Sequence, residues 1–450
     1  MNVDMTAGSP SRILLQFSLP MLLSVVFQQM YNIVDSVVVG RFVGMEALAA
    51  VGASFPITMI FMAVATGSNI GCCVIISQLF GARAYEKLKT AISTSLISIL
   101  ILSSILTAWG LMTCNTLIQL LNTPTNIFID SVLYLRIYII GLLFLYLYNI
   151  CTGIFTALGD SRTPLYFLIL SSLINIGLDL LFVVGFKQGV GGAAWATLIA
   201  QGLSSVLALV ALKKRLKIIK TQHYKLFSGE MLWHIAKVAI PSILQQSFIS
   251  VGNLIIQGLI NTFGAAVVAG YSAAMRLNTF ALTSFTTLGN GLSSFTAQHI
   301  GANKKERIPK GFRAGFLISL CVILPFSLIY FFTGPSLMKF FVDASEQEVV
   351  QVGTLFLRIV SPFYLAIGIK LLADGILRGA GAMLTFMIAT FTDLILRVIL
   401  SFKLATLWGS TGIWISWPVG WIIGAILSFG FYLSGLWKKS CKLNVKEEAI

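Results

Sequence analysis

Apolar residues in this chain come in long tracts, not in the short alternation of a half-buried strand or a surface helix. No Asp, Glu, Lys or Arg occurs in 13–34, 47–82, 90–129, 188–212, 238–275, 277–303, 314–338 or 404–437. A helix crosses a bilayer with roughly 20 apolar residues. Several tracts exceed one crossing, and polar or Pro/Gly punctuation divides them, as in CNTLIQLLNTPTN (114–126) and NTFGA (261–265). The pattern predicts about twelve helices, over 13–40, 48–80, 91–113, 130–157, 164–185, 190–212, 233–261, 267–300, 312–333, 350–378, 384–405 and 411–437.

Composition agrees: 57% of the 450 residues are hydrophobic, 10% are charged, and the mean hydropathy is +0.90. A soluble fold of this length needs far more charge to cover its surface. The net charge of +15 would suggest a nucleic-acid partner on a soluble basic face, but here it lies in loops between spans. Arg83, Lys87, Lys89, Arg162, Lys304, Lys305, Arg307, Arg378 and the run 213–225 (KKRLKIIKTQHYK) fall in one alternate set of loops. Arg12, Lys438, Lys439, Lys442 and Lys446 put both chain ends with them. The positive-inside rule then predicts a multi-pass protein of the cell (inner or plasma) membrane with both termini cytoplasmic. The basic run reads as a solvated loop or as an amphipathic linker on an anionic leaflet. MNVDMTAGSPSR carries Asp4 and no basic n-region, so the first helix is expected to remain in the mature protein. Six scattered cysteines without a CxxC pair, and three histidines without HExxH, predict neither a disulfide framework nor a metal site.

The halves resemble one another at an offset of about 220 residues. SLPMLLS (18–24) aligns with AIPSILQ (239–245), QLFGA (78–82) with QHIGA (298–302), and YLRI (134–137) with FLRI (356–359). GIFTALGD (153–160) and GGAAW (191–195) find partners in GILRGAGA (375–382) and TGIWI (411–415). Six helices per repeat make the repeats parallel, related by an axis along the membrane normal, a transporter design with its substrate path between the lobes. The predicted domains are an N-terminal lobe (1–212), a basic cytoplasmic linker (213–232) and a C-terminal lobe (233–450).

Ionisable groups inside spans are expensive and usually functional. In the C-terminal half, Lys370 and Asp374, and likewise Asp393 and Arg397, lie four residues apart, so each pair is expected to neutralise itself along one helix face. Arg276 has no local counter-charge, and Arg276, Lys370 and Asp374 are candidates for a C-lobe polar cavity. In the N-terminal half, Asp35 and Asp179 have no basic residue within a helical turn. Asn32 precedes Asp35 by three residues and Asn175 precedes Asp179 by four, so amide and carboxylate share a face. Two acids desolvated together would hold a proton or a small cation, which is the chemistry of ion coupling. The repeat puts Ser401 opposite Asp179 and Ile256 opposite Asp35, so the acidic site belongs to one lobe.

LPMLLSVVFQQMYNIVDSVVVGRFVGMEALAAVG (19–52), the QLFGA turn, GDSRTPLYFLILSSLINIGLDLLFV (159–183) and GVGGAAWATLIAQG (189–202) resemble the multidrug and toxic compound extrusion (MATE) transporters over nearly the whole chain. The resemblance implies an all-α membrane protein, about twelve transmembrane helices in two parallel six-helix lobes forming a V around a central cavity. It implies a non-enzyme that needs no cofactor, a monomer in the lipid bilayer exporting amphipathic, often cationic, organic compounds in exchange for H+ or Na+. The family's helix 1 aspartate falls on Asp35, its helix 5 Asn-x-x-x-Asp on Asn175 and Asp179, and its helix 6 threonine on Thr197. Cation coupling is thus assigned to Asp35, Asn32, Asn175, Asp179 and Thr197, with Na+, if used, at Asp35, Asn175, Asp179 and Thr197. The chain departs from the NorM-like branch, whose helix 7 carries an acid where 240–260 here has none.

Three other functions make different demands on the sequence. A flippase for lipid-linked precursors would want a basic cavity, for which only Arg276 and Lys370 are at hand. An intramembrane enzyme such as a prenyltransferase would want clustered aspartates for magnesium and diphosphate, and no DxxxD occurs. An ATP-driven pump would need GxxxxGK[ST], which is absent. The topology is directly testable: a cysteine placed in 213–232 should resist an impermeant maleimide added to intact cells and react once the membrane is opened. Labelling from outside would reverse the assigned orientation.

Overall fold

Backbone N–H and C=O groups in hydrocarbon find no water, so each apolar tract must satisfy its own, as a helix does. The computed structural model describes residues 4–43, 45–219, 221, 223–341 and 346–438, leaving out the side chains of 35–41, 45, 46 and 48. Its helices are α1 (Pro10–Phe42), α2 (Met45–Gly81), α3 (Tyr85–Leu120), α4 (Thr125–Ile140), α5 (Leu142–Ala157), α6 (Arg162–Asp179) and α7 (Gly189–Ile218). There follow α8 (Gly229–Asn261), α9 (Ala265–Gly301), α10 (Ile308–Phe341), α11 (Gln347–Val360), α12 (Tyr364–Gly379), α13 (Met383–Trp408) and α14 (Ser410–Leu433). Among the described residues no strand occurs, and ten helical segments are long and apolar enough to cross a membrane, or eleven if the bent pair α4–α5 is one span. The 37-residue α9 is outside that count; its sequence carries the polar residues Arg276, Asn278, Asn290, Gln298 and His299.

Three predicted spans are broken. The fourth bends by 46° at Gly141. The tenth is interrupted by a 3-10 turn at Ser361–Phe363, where Pro362 cannot donate an N–H. The fifth passes from α6 into a π-helical turn, Leu180–Gly185, directly after Asp179. The first two breaks occupy matching places in the repeat, as do the left-handed turns that end helices: Arg83 (φ 57°) with Asn303 (φ 56°), Gly159 (79°) with Gly381 (75°), and Lys187 (54°) with Gly409 (59°). The duplication seen in the letters is therefore also a duplication of backbone turns.

The chain forms two compact units, Leu23–Ser247 (unit 1) and Asp4–Leu22 with the chain from Phe248 onward (unit 2). The divisions fall inside α1 and α8, shortly after Pro20 and Pro241, not at the basic linker. Residues 5–8 are tied within unit 2: the Met5 N–H donates to Gln298 Oε1 (3.2 Å), Lys304 donates to the Thr6 carbonyl (3.0 Å), and Arg307 donates to the carbonyls of Thr6 and Gly8. The core of unit 2 is aromatic, with Tyr271 stacked on Trp414 at 5.1 Å and Phe285, Phe356, Tyr364, Trp417 and Trp421 packed around them.

In unit 1 the first turns of α8 lie against α2 at glycine contacts. A Cβ on Gly67 would meet the Ile243 backbone at 2.5 Å, and one on Gly71 would meet the Ala239 side chain at 2.5 Å. Glycine holds these positions because the backbones touch. Gly71→Leu should therefore destabilise the purified protein by about 1–3 kcal/mol or prevent its folding, seen as a lowered melting temperature. Gly258→Ala, whose Cβ meets nothing within 4 Å, should be neutral or slightly stabilising.

Candidate functional site: a buried acid cluster in unit 1

Asp179 closes α6 and is 0% exposed; Asn175, one turn earlier, is 2% exposed. The hydrogen-bond partners orient the Asn175 amide. Its nitrogen donates to Asp179 Oδ2 (2.9 Å) and to the Tyr31 hydroxyl (3.1 Å), and its oxygen accepts from the Thr197 N–H (3.1 Å). The Thr197 hydroxyl donates to the Ala193 carbonyl at 3.1 Å. Three helices of unit 1 thus meet at the Asn175 amide: α1 through Tyr31, α6 through Asn175 and its partner Asp179, and α7 through Thr197. Thr197 also lines a cleft with Tyr134, Tyr138, Gly141 and Gln201, so the break between α4 and α5 opens beside it.

Unit 2 answers the same positions differently. By the repeat offset, Asn175 corresponds to Arg397, Asp179 to Ser401, Thr197 to Trp417 and Tyr31 to Gly252. The Arg397 guanidinium stacks on the Trp417 ring at 4.4 Å, and Ser401 donates to the Arg397 carbonyl (2.8 Å). An amide-bonded acid in one unit is a cation on an aromatic face in the other.

The expected pairing within single helices holds for Lys370 and Asp374, at 2.8 Å. It does not hold for Asp393 and Arg397. Asp393 Oδ2 instead lies 3.7 Å from Lys370 Nζ on the neighbouring helix. The reason is steric and local: Gly420 of α14 has no side chain, and a Cβ there would come 2.6 Å from Asp393 Oδ1, so the carboxylate occupies that gap. Lys370 and Asp374 are buried, whereas Arg276 on α9 is exposed and joins neither.

The MatE family model matches residues 20–181 and 241–402, once in each repeat. The chain belongs to the MatE family of transporters. "Probable multidrug resistance protein YoeA" of Bacillus subtilis is 29% identical over 438 residues, covering 94% of this chain and 93% of that one. "Multidrug export protein MepA" of Staphylococcus aureus is 25% identical over 405 residues, covering 89% and 88%. An outward-facing multidrug resistance MATE transporter of the MOP superfamily superposes with a TM-score of 0.90 at 24% identity over 98% of this chain and 99% of that one, which establishes the common fold.

Of the five residues assigned to coupling in this MATE transporter, Asn175, Asp179 and Thr197 come together. Asn32 is exposed on α1. Asp35 lies one helical turn beyond Tyr31, and its side chain is outside the described residues. Tyr31 was missed by sequence reasoning, although its spacing before Asp35 equals that of Asn175 before Asp179. Tyr31→Phe removes the hydroxyl that receives the Asn175 N–H. It should raise the ion concentration for half-maximal efflux about 3–10-fold, the worth of one hydrogen bond, and leave dye affinity unchanged. An unaltered ion dependence would place Tyr31 outside the site.

Proposed function

We propose that this MATE transporter is a secondary active multidrug exporter of the cell membrane, monomeric, with both termini and the 213–232 linker in the cytoplasm. It exports amphipathic, mainly cationic organic compounds in exchange for H+ or Na+. The duplicated halves, 1–212 and 233–450, divide the labour, with ion coupling in the first. The observation that carries this reading is the buried Asp179–Asn175 cluster tied to Tyr31 and Thr197, one helical turn from Asp35. The names of its relatives support the multidrug class, and the basic loops support the orientation.

In this scheme Asp35 and Asp179 begin charged and draw an ion from outside. Neutralisation removes a costly intramembrane charge and releases α1 to rearrange. Pro20 leaves the carbonyl one turn before it without a helical donor, so bending is cheapest there. The movement withdraws contacts from bound substrate, which leaves outward. A proton needs one carboxylate, whereas sodium needs about four or more oxygens.

The test is efflux of a fluorescent organic cation in everted vesicles, driven separately by a pH gradient and by a sodium gradient. Asp35→Asn and Asp179→Asn should each reduce gradient-driven efflux to the level of vesicles lacking the protein, while the purified variants still fold and bind dye. Either variant transporting with normal ion dependence would place coupling elsewhere.

A further inference from the structure

Lys370, Asp374, Asp393 and Arg397 lie buried together in unit 2, 3%, 3%, 4% and 6% exposed. Buried ion pairs seldom stabilise a fold by themselves, because desolvation offsets their attraction. Four such charges within spans therefore call for a role.

Their arrangement is that of an occupied cation site. Two carboxylates from different helices converge on one ammonium: Lys370 Nζ lies 2.8 Å from Asp374 Oδ2 and 3.7 Å from Asp393 Oδ2. Ser428 donates to the other oxygen of Asp374 at 2.5 Å. The α14 backbone closes the site, since a Cβ on Gly424 would come 2.7 Å from Lys370 Cε and one on Gly420 would come 2.6 Å from Asp393 Oδ1. Arg397 supplies charge from farther off, its guanidinium lying on Trp417 and its Nε without a hydrogen-bond partner among the described residues. Asp393 Oδ1 also lacks a hydrogen-bond partner among the described residues. Among the described residues, Asp374, Asp393 and Arg397 are the charged groups that act on Lys370.

We propose that Lys370 is a resident cation: its ammonium permanently fills a two-carboxylate site for a small monovalent cation in unit 2, so this unit takes up no exchangeable ion during transport. Without the ammonium, Asp374 Oδ2 and both oxygens of Asp393 remain as hard, buried ligands suited to an alkali ion. Failing one, two neighbouring carboxylates cannot both stay ionised and one would take a proton. The inference does not depend on the reading of unit 1.

The experiment measures melting of the purified protein in sodium chloride and in choline chloride at equal ionic strength, at neutral and mildly acidic pH. Asp35→Asn and Asp179→Asn are present throughout to silence unit 1. The same series without them is run alongside, with the added shift read as a difference. The parent should be indifferent to sodium. Adding Lys370→Met should create a dependence, with melting raised by about 3 °C or more by sodium or by acid relative to the parent. Adding Asp393→Asn to Lys370→Met should abolish it, since Asp374 and Arg397 then balance. A Lys370→Met protein that is folded and indifferent to both, or unfolded in both, overturns the proposal, as does a parent carrying Asp35→Asn and Asp179→Asn that still responds to sodium.

Discussion

Hydrocarbon solvates neither a charge nor a free peptide group, and most features of this transporter follow from that constraint. Each buried charge must be met by protein. Unit 1 meets Asp179 with the Asn175 amide, itself held by Tyr31 and Thr197. Unit 2 meets its acids with the Lys370 ammonium and seats the Arg397 guanidinium on an indole face. The corresponding positions have thus diverged in opposite electrostatic directions on one backbone plan. On the proposals made above, one unit exchanges its cation and the other carries its own.

The same constraint governs where helices break. Non-helical backbone is tolerated within a span only where protein or a cleft covers it. The bend at Gly141 lies on the cleft that Thr197 lines, and the π turn begins right after Asp179. π turns and broken helices commonly mark sites where a backbone group or a side chain is re-aimed. The break at Ser361–Phe363 occupies the matching place in unit 2, close in sequence to Lys370.

α1 and α8 have a distinct part in this plan. Each begins in the opposite unit's set of residues and changes allegiance a few positions after a proline. α1 therefore links the N-terminal segment tied to Gln298, Lys304 and Arg307 with Tyr31 in the acid cluster. On the coupling proposed above, a charge change at the cluster and a bend near Pro20 would act along one continuous helix. The glycine contacts of α2 with the start of α8 tie that second exchanged segment into unit 1.

Much of this was determined by the sequence alone. The all-helical membrane fold and the approximate places of its spans follow from hydrophobic run length, because a bilayer sets the length scale of a span, whereas the breaks within spans do not. The repeat was visible in short matched strings and recurs in paired left-handed turns. Asn175 and Asp179 were placed on one face by helical spacing, and Lys370 with Asp374 likewise, since neighbours one turn apart are a local property. Only the tertiary structure decided what crosses between helices: that Tyr31 joins the cluster, that Asp393 turns to Lys370 instead of Arg397, and that Arg397 rests on Trp417. The physical reason is that a long side chain reaches a neighbouring helix as easily as its own next turn. Which it chooses depends on where the facing helix leaves room, here at Gly420 and Gly424.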